Sequence, residues 1–127
     1  MTDPNCIFCK IARGEIPAKK VHEDDLVLAF HDVRPQADVH LLVIPKAHVA
    51  TLYDAGATHE PAFGRMLALA GSLARKAGAA DGFRTIVNTG RVGHQEVYHV
   101  HMHVLGGPEP LGPMLSRAKL GGATRSG

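Results

Sequence analysis

Three histidines, His99, His101 and His103, alternate with Val100 and Met102 in the stretch Tyr98-His99-Val100-His101-Met102-His103-Val104-Leu105-Gly106-Gly107. On a β-strand, successive side chains point to opposite faces. The spacing therefore puts three imidazoles on one face and Val100, Met102 and Val104 on the other, apolar face. At about 3.3 Å of rise per residue, neighbouring imidazoles would stand roughly 7 Å apart. A single buried histidine is ordinary. Three desolvated imidazoles on one face cost free energy unless each has a partner. Two chemistries suit such a row. His-x-His with a third imidazole can hold a catalytic Zn²⁺ that keeps one position open for water. Alternatively, the row is an anion site, in which one imidazole is a nucleophile and the others donate hydrogen bonds to phosphate oxygens. Spacing alone does not separate the two.

Cys6 and Cys9 form a C-x-x-C and are the only cysteines of the chain. In a reducing compartment this spacing points to metal or redox chemistry more than to a structural disulfide. A thioredoxin-like motif needs a strand before it, and five residues precede Cys6. A structural Zn²⁺ of the Cys₂His₂ type needs two histidines from elsewhere. Without metal, two buried thiols are tolerable in a core.

The elements that must position these residues can be read from periodicity. Residues 6–13 place Ile7, Phe8 and Ile11 at helical spacing, with Gly14 as a stop and Pro17 beyond it. Val21–Glu23 is a weak strand and Asp24-Asp25 a turn. Leu26–Phe30 and Val39–Ile44 are apolar runs that read as strands, separated by the loop Arg34–Asp38. Thr58 or Glu60 would cap a long helix with Pro61 in its first turn. Phe63, Met66, Leu67, Ala70, Leu73, Ala74 and Ala77 form its apolar stripe, with Gly78 as the C-terminal cap. Phe83–Val87 is a further strand, and a loop from Arg91 to Gln95 leads to the histidine strand. Gly106–Pro113 is too rich in Gly and Pro for regular structure. The pattern is α+β: an antiparallel sheet of about five strands with one long helix and one short N-terminal helix.

At 127 residues, with 45% apolar and 20% charged residues, the composition is that of one soluble globular domain. We read residues 1–115 as that domain and 116–127 as a flexible C-terminal tail without an apolar anchor. The net charge is +2 and the Lys and Arg residues are scattered, which argues against nucleic acid and membrane surfaces as partners. No apolar run approaches a membrane span, and the start has no signal-like core, so the expected location is the cytoplasm.

The phrase Gln95–Gly107 resembles the signature of the histidine-triad (HIT) superfamily. Phe8-Cys9-Lys10-Ile11, Gly14-Glu15-Ile16-Pro17, Phe30–Ala37, Val43-Ile44-Pro45-Lys46 and Val87-Asn88 resemble its nucleotide-binding branch, in matching order. The ending Gly106–Leu115 is similar to that of bacterial HinT-type members. The resemblance implies a HIT-like fold whose sheet extends across a two-fold homodimer. It also implies a purine nucleoside phosphoramidase, which cleaves the P–N bond of adenosine 5′-monophosphoramidates and releases AMP and an amine. The implied nucleophile is His101. His103 and Asn88 match phosphate contacts, His40 matches a histidine that orients the site, and His99 completes the catalytic row. His31, Asp32 and Val33 match the ribose end, and Gly93, Gln95 and Glu96 line the nucleotide. Purine mononucleotides such as AMP and GMP are the implied ligands, with no organic cofactor. Some members bind a structural zinc with this cysteine pair, and the matching set here is Cys6, Cys9, His48 and His99.

Two departures from the family pattern stand out. The usual Gly-Gly-Gln loop is here Gly93-His94-Gln95, which puts a side chain where positive φ is expected. Position 96 is Glu, as in bacterial members, where others carry Ser. The identity of the general acid is left open. Three other readings stay in view: a dinucleoside polyphosphate hydrolase on the same site, a nucleotide-binding regulator with incidental activity, and a zinc hydrolase using the triad itself.

Overall fold

The computed structural model describes residues 3–114. The tail assigned to 116–127 lies outside them. The element order is α1 (Ile7–Ala12), β1 (Lys20–Glu23), β2 (Val27–His31), β3 (Val39–Pro45), α2 (Glu60–Ala77), β4 (Phe83–Val87) and β5 (Met102–Gly106). Two short 3-10 turns, Leu52–Asp54 and Ala57–His59, precede α2 and were not anticipated from periodicity.

The strands form one antiparallel sheet in the order β1-β2-β3-β5-β4. The last strand of the chain is thus inserted between β3 and β4, and the histidine segment runs through the middle of the molecule. Both faces of the sheet are covered. Val27, Ala29, Val39, Leu41, Val43, Met102 and Val104 pack against Met66, Ala70, Leu73 and Ala74 of α2. Leu28, Phe30, Leu42 and Ile44 pack on the opposite face against Phe8 and Ile11 of α1. This explains why β2 and β3 are continuous apolar runs rather than alternating ones. Alternate residues of one strand serve two different cores.

Several boundaries differ from expectation. Helix α2 begins after His59, which replaces Thr58 and Glu60 as its N-cap and makes no side-chain cap bond. Pro61 does lie in the first turn, and Gly78 caps the C-terminus at φ 113°. Leu67 is 64% exposed and so leaves the apolar stripe, because the sheet reaches only the Met66/Ala70/Leu73/Ala74 side of the helix. Gly106 is the last residue of β5 rather than part of the tail.

The histidine segment shows the largest difference. Regular strand begins only at Met102, so His99 and His101 precede it. The last paired residues of β3 and β5 are Val43 and Met102. Two residues further along, Val100 would face Pro45, which has no N–H to offer a ladder. The Val100 amide bonds instead to the carbonyl of Val49, at 2.7 Å. The three imidazoles nevertheless reach the α1 side of the sheet: Phe8 packs on His99 and His101, and His103 pairs in register with Leu42.

Candidate active site

His101 is buried, at 5% exposure, on the approach to β5. Its Nδ1 lies 2.8 Å from the backbone oxygen of His99. A carbonyl can only accept, so Nδ1 carries the proton, and in the neutral ring Nε2 keeps its lone pair. The acceptor that fixes this ring is thus the main chain two residues upstream. The rings of His101 and His103 are 5.1 Å apart, closer than a flat strand would give.

A second hydrogen-bond chain fixes the state of His103. The amide of Gln36 donates to Nδ1 of His40 at 2.9 Å. Neutral His40 must then carry its proton on Nε2, which lies 2.8 Å from Nδ1 of His103 and 3.3 Å from Oδ2 of Asp32. His103 accepts at Nδ1 and therefore presents an N–H at Nε2. Burial pushes His103 down to about 4, with the neighbouring His101 and His40 rings adding to the effect and Asp32 and Glu96 opposing it. Burial also lowers His40, against the pull of Asp32. Near pH 7 this pair is a neutral donor chain rather than a cationic one.

The loop before the histidines is held from inside. Asn88 Nδ2 donates to the Gly93 carbonyl at 2.8 Å. Gln95 is buried; its Oε1 accepts from the Gly90 amide, and its Nε2 donates to the carbonyls of Ala50 and Val97. The side chain of Gln95 is fully occupied in shaping the loop. A Cβ on Gly93 would lie 2.4 Å from the Thr89 oxygen, so no larger residue fits there. His94 carries the positive φ, 63°. Glu96 is exposed at the rim. On the other flank, His31, Asp32 and Val33 line an open cleft of about 650 Å³ with Pro17, Ala18 and Lys19. Val33 is 91% exposed there.

Cys6, Cys9, His48 and His99 converge beside this site, each offering a ligand atom within 4.8 Å of the others. Sγ of Cys6 and Nδ1 of His99 are 3.3 Å apart, Sγ of Cys9 and Nδ1 of His48 3.4 Å, and the two Nδ1 atoms 3.3 Å. Tetrahedral zinc, with Zn–S near 2.3 Å and Zn–N near 2.0–2.1 Å, requires ligand separations of about 3.3–3.8 Å. His99 Nε2 donates to the Pro45 carbonyl at 2.8 Å, which leaves Nδ1 as a lone pair facing the cluster. Burial pushes His99 down to about 4, so its ring is in the neutral, ligating form. The Asp3 amide points to Cys9 Sγ, and the Cys9 amide to Cys6 Sγ, both at 3.4 Å. The donor set and its spacing fit Zn²⁺. A second group, Asp32, His40 and His103, also lies close together, but the donor chain described above already accounts for it.

Comparison with known proteins agrees with this geometry. The family model described as HIT domain matches residues 13–109. The chain belongs to the HIT family. This HIT chain is 54% identical over 115 residues to the purine nucleoside phosphoramidase of Escherichia coli strain K12, covering 90% of the chain and 96% of the relative. It is similar to the crystal structure of a HIT family hydrolase from Legionella pneumophila, with 48% identity and a TM-score of 0.80 over 86% of this chain and 98% of that one. A histidine triad protein from Clostridium difficile is similar at 43% identity and a TM-score of 0.83, over 89% and 99% of the two chains.

One residue of the HIT site carried no functional signal in the sequence. Phe8 read as helix core, yet its ring lies edge-on to both His99 and His101, at 5.9 and 5.2 Å. Helical spacing cannot distinguish an apolar residue in the core from one that also packs on buried imidazoles.

Proposed function

We propose that the protein hydrolyses the P–N bond of purine nucleoside 5′-monophosphoramidates, with His101 as nucleophile. The observation that carries this reading is the hydrogen bond from His101 Nδ1 to the His99 carbonyl, which leaves Nε2 free to attack. Nε2 forms a bond to phosphorus as the P–N bond breaks, and the amine leaves with a proton. Water then attacks the nucleotidyl-imidazole, releasing the nucleoside monophosphate and restoring His101. Splitting the reaction in two replaces one hard displacement by two easier ones. His103 supplies its Nε2 N–H to a phosphate oxygen, and Asn88 and the Gly93–Gln95 loop shape the phosphate end. Being neutral near pH 7, His103 acts as a hydrogen-bond donor and not as a cationic acid. Asp32 accepts from the ribose hydroxyls in the cleft, with His31 and Val33 beside it. Glu96, at the rim, is suited to an ammonium leaving group.

AMP and GMP are the proposed product nucleotides. A homodimer in the cytoplasm is the proposed form, with β4 and α2 at the two-fold. Cys6, Cys9, His48 and His99 are the proposed ligands of a structural Zn²⁺, which would tie α1 to the sheet outside the reacting atoms. Among the described residues, no helix is long and apolar enough to cross a membrane.

Adenosine 5′-phosphoramidate and diadenosine polyphosphates, offered in parallel, test the activity. Preferred turnover of the phosphoramidate is expected, and His101→Ala should lower it by about a thousandfold or more. Full turnover by His101→Ala would refute the nucleophile. Preferred turnover of the polyphosphates would favour the sister activity, and abolished turnover with chelator in a folded protein whose His101 keeps its Nδ1–H form would favour metal-dependent hydrolysis.

A further inference from the structure

We propose that the Cys6/Cys9/His48/His99 corner positions the nucleophile, through Phe8 and the His99 carbonyl. This rests on the zinc ligation and the His101 assignment given above. The two links are separate. Phe8 lies between the two cysteines in α1, and its ring is edge-on to His101 at 5.2 Å and to His99 at 5.9 Å. His99 puts its side chain in the corner while its main-chain oxygen holds the Nδ1 proton of His101 at 2.8 Å. His101 is thus touched on two sides by groups that adjoin the corner.

Apolar packing of Phe8 and Ile11 on Leu28, Phe30, Leu42 and Ile44 holds the body of α1, and the corner holds its N-terminal turn and the His99 segment. Helix α1 spans six residues, too short to persist without tertiary anchors. Cys6 is its N-cap, with Sγ accepting from the Cys9 amide. With a cation bound, α1, the loop after β3 and the segment before β5 share one centre. Without it, one hydrogen bond from His48 Nδ1 to the His99 lone pair at 3.3 Å and two weak thiol donors stand in for four bonds to a single ion. With the ion gone, the His99 segment keeps its Nε2 bond to Pro45 but loses its tie to α1, and its carbonyl is held less firmly against His101, whose ring can then exchange its proton between Nδ1 and Nε2. Phe8 is accordingly a positioning residue, since it acts on the reaction through His101.

Three preparations test this: zinc-loaded wild type, the same protein stripped by chelator, and Phe8→Leu with its zinc retained. Imidazole ¹⁵N spectra at pH 7 without nucleotide report the tautomer. His101 should be a single Nδ1–H form in the loaded wild type and a mixture in the other two, while His40 and His103 keep theirs. Turnover of adenosine 5′-phosphoramidate, as kcat/KM, should fall between about tenfold and a hundredfold in both. An unchanged His101 tautomer in both altered proteins overturns the proposal, as does a chain that takes up no zinc. If stripping unfolds the protein, folded Cys6→Ser that has lost its zinc takes the place of the stripped sample, and an unchanged His101 tautomer in it and in Phe8→Leu overturns the proposal. If the wild type cleaves no phosphoramidate, the activity reading fails and the spectra still decide this one.

Discussion

His94 occupies the left-handed region at φ 63°, a conformation that costs a side-chain-bearing residue about 1–2 kcal/mol in general and somewhat less for histidine. The glycine next to it needs its place for a different reason: a Cβ at Gly93 would run into the Thr89 backbone. Two adjacent positions therefore carry two different constraints, close approach at 93 and positive φ at 94. His94→Gly should raise stability by up to about 1 kcal/mol, the relief of strain being partly offset by a more flexible unfolded chain. Urea denaturation measures this; a loss of stability would mean that the His94 ring holds the loop by contacts of its own. At the same scale, Gln95 shows how one buried amide closes a turn. Its three hydrogen bonds tie residues 90, 97 and 50 together and so close the loop that leads to the histidines.

The turn between β1 and β2 also reaches beyond its own hairpin. Asp24 accepts from the amides of Leu26 and Val27, from Nε2 of His22 at 2.7 Å, and from Nε of Arg65 in α2 at 2.9 Å. These bonds, the one to His22 foremost, hold its carboxyl well below the usual carboxylate range. One turn residue thus docks the long helix onto the edge of the sheet. Asp24→Ala should destabilise the fold by about 1–3 kcal/mol, because it leaves two turn amides without their acceptor and frees Arg65. Arg65→Ala alone should cost about 1 kcal/mol or less, being a partly exposed pair. Thermal melts of the two variants check the order; equal effects would place the stabilisation in the ion pair instead of the turn.

At the scale of the whole molecule, burying histidines as neutral rings makes stability depend on pH. His103 titrates near 4 in the fold, against about 6.5 in an unfolded chain. Between these values the unfolded chain binds more protons, so the stability from the neutral ring is complete above pH 6.5 and is lost as pH falls toward 4. This group contributes up to about 3 kcal/mol, and His40 acts in the same direction. The melting temperature should therefore fall as pH drops from 6.5 to 4, with a shallower slope in His103→Gln. A flat profile over that range would contradict the burial argument. The proposed two-fold is tested at this scale too. Phe83 of the edge strand β4 is 40% exposed, and Leu67 of α2 is 64% exposed. Sedimentation should give twice the 13.5 kDa chain mass, and Leu67→Glu should shift it to the single-chain value by placing a charge in the joint.

The sequence by itself determined the type and order of the main elements, since apolar periodicity, Pro61 and Gly78 are local signals of a chain in contact with its own neighbours. It also determined which residues could do chemistry: the alternating histidines and the cysteine pair announce themselves by type and spacing. It could not determine how the row of histidines is divided. Whether β5 extends back to His99 depends on what stands opposite, and that is Pro45, more than fifty residues away in the chain. The proton position on His103 follows from long-range contacts in the same way, from Gln36 through His40. His101 takes its tautomer from the His99 carbonyl only two residues away, in a segment that lies outside the regular strand. The meeting of Cys6 and Cys9 with His48 and His99 likewise needs α1 folded back on the sheet; spacing left those two histidines unassigned, and only the family resemblance named them. The His40–His103 hydrogen bond and the Cys/His ligand separations are properties of atoms brought together by the whole core, and no short window of sequence contains both partners.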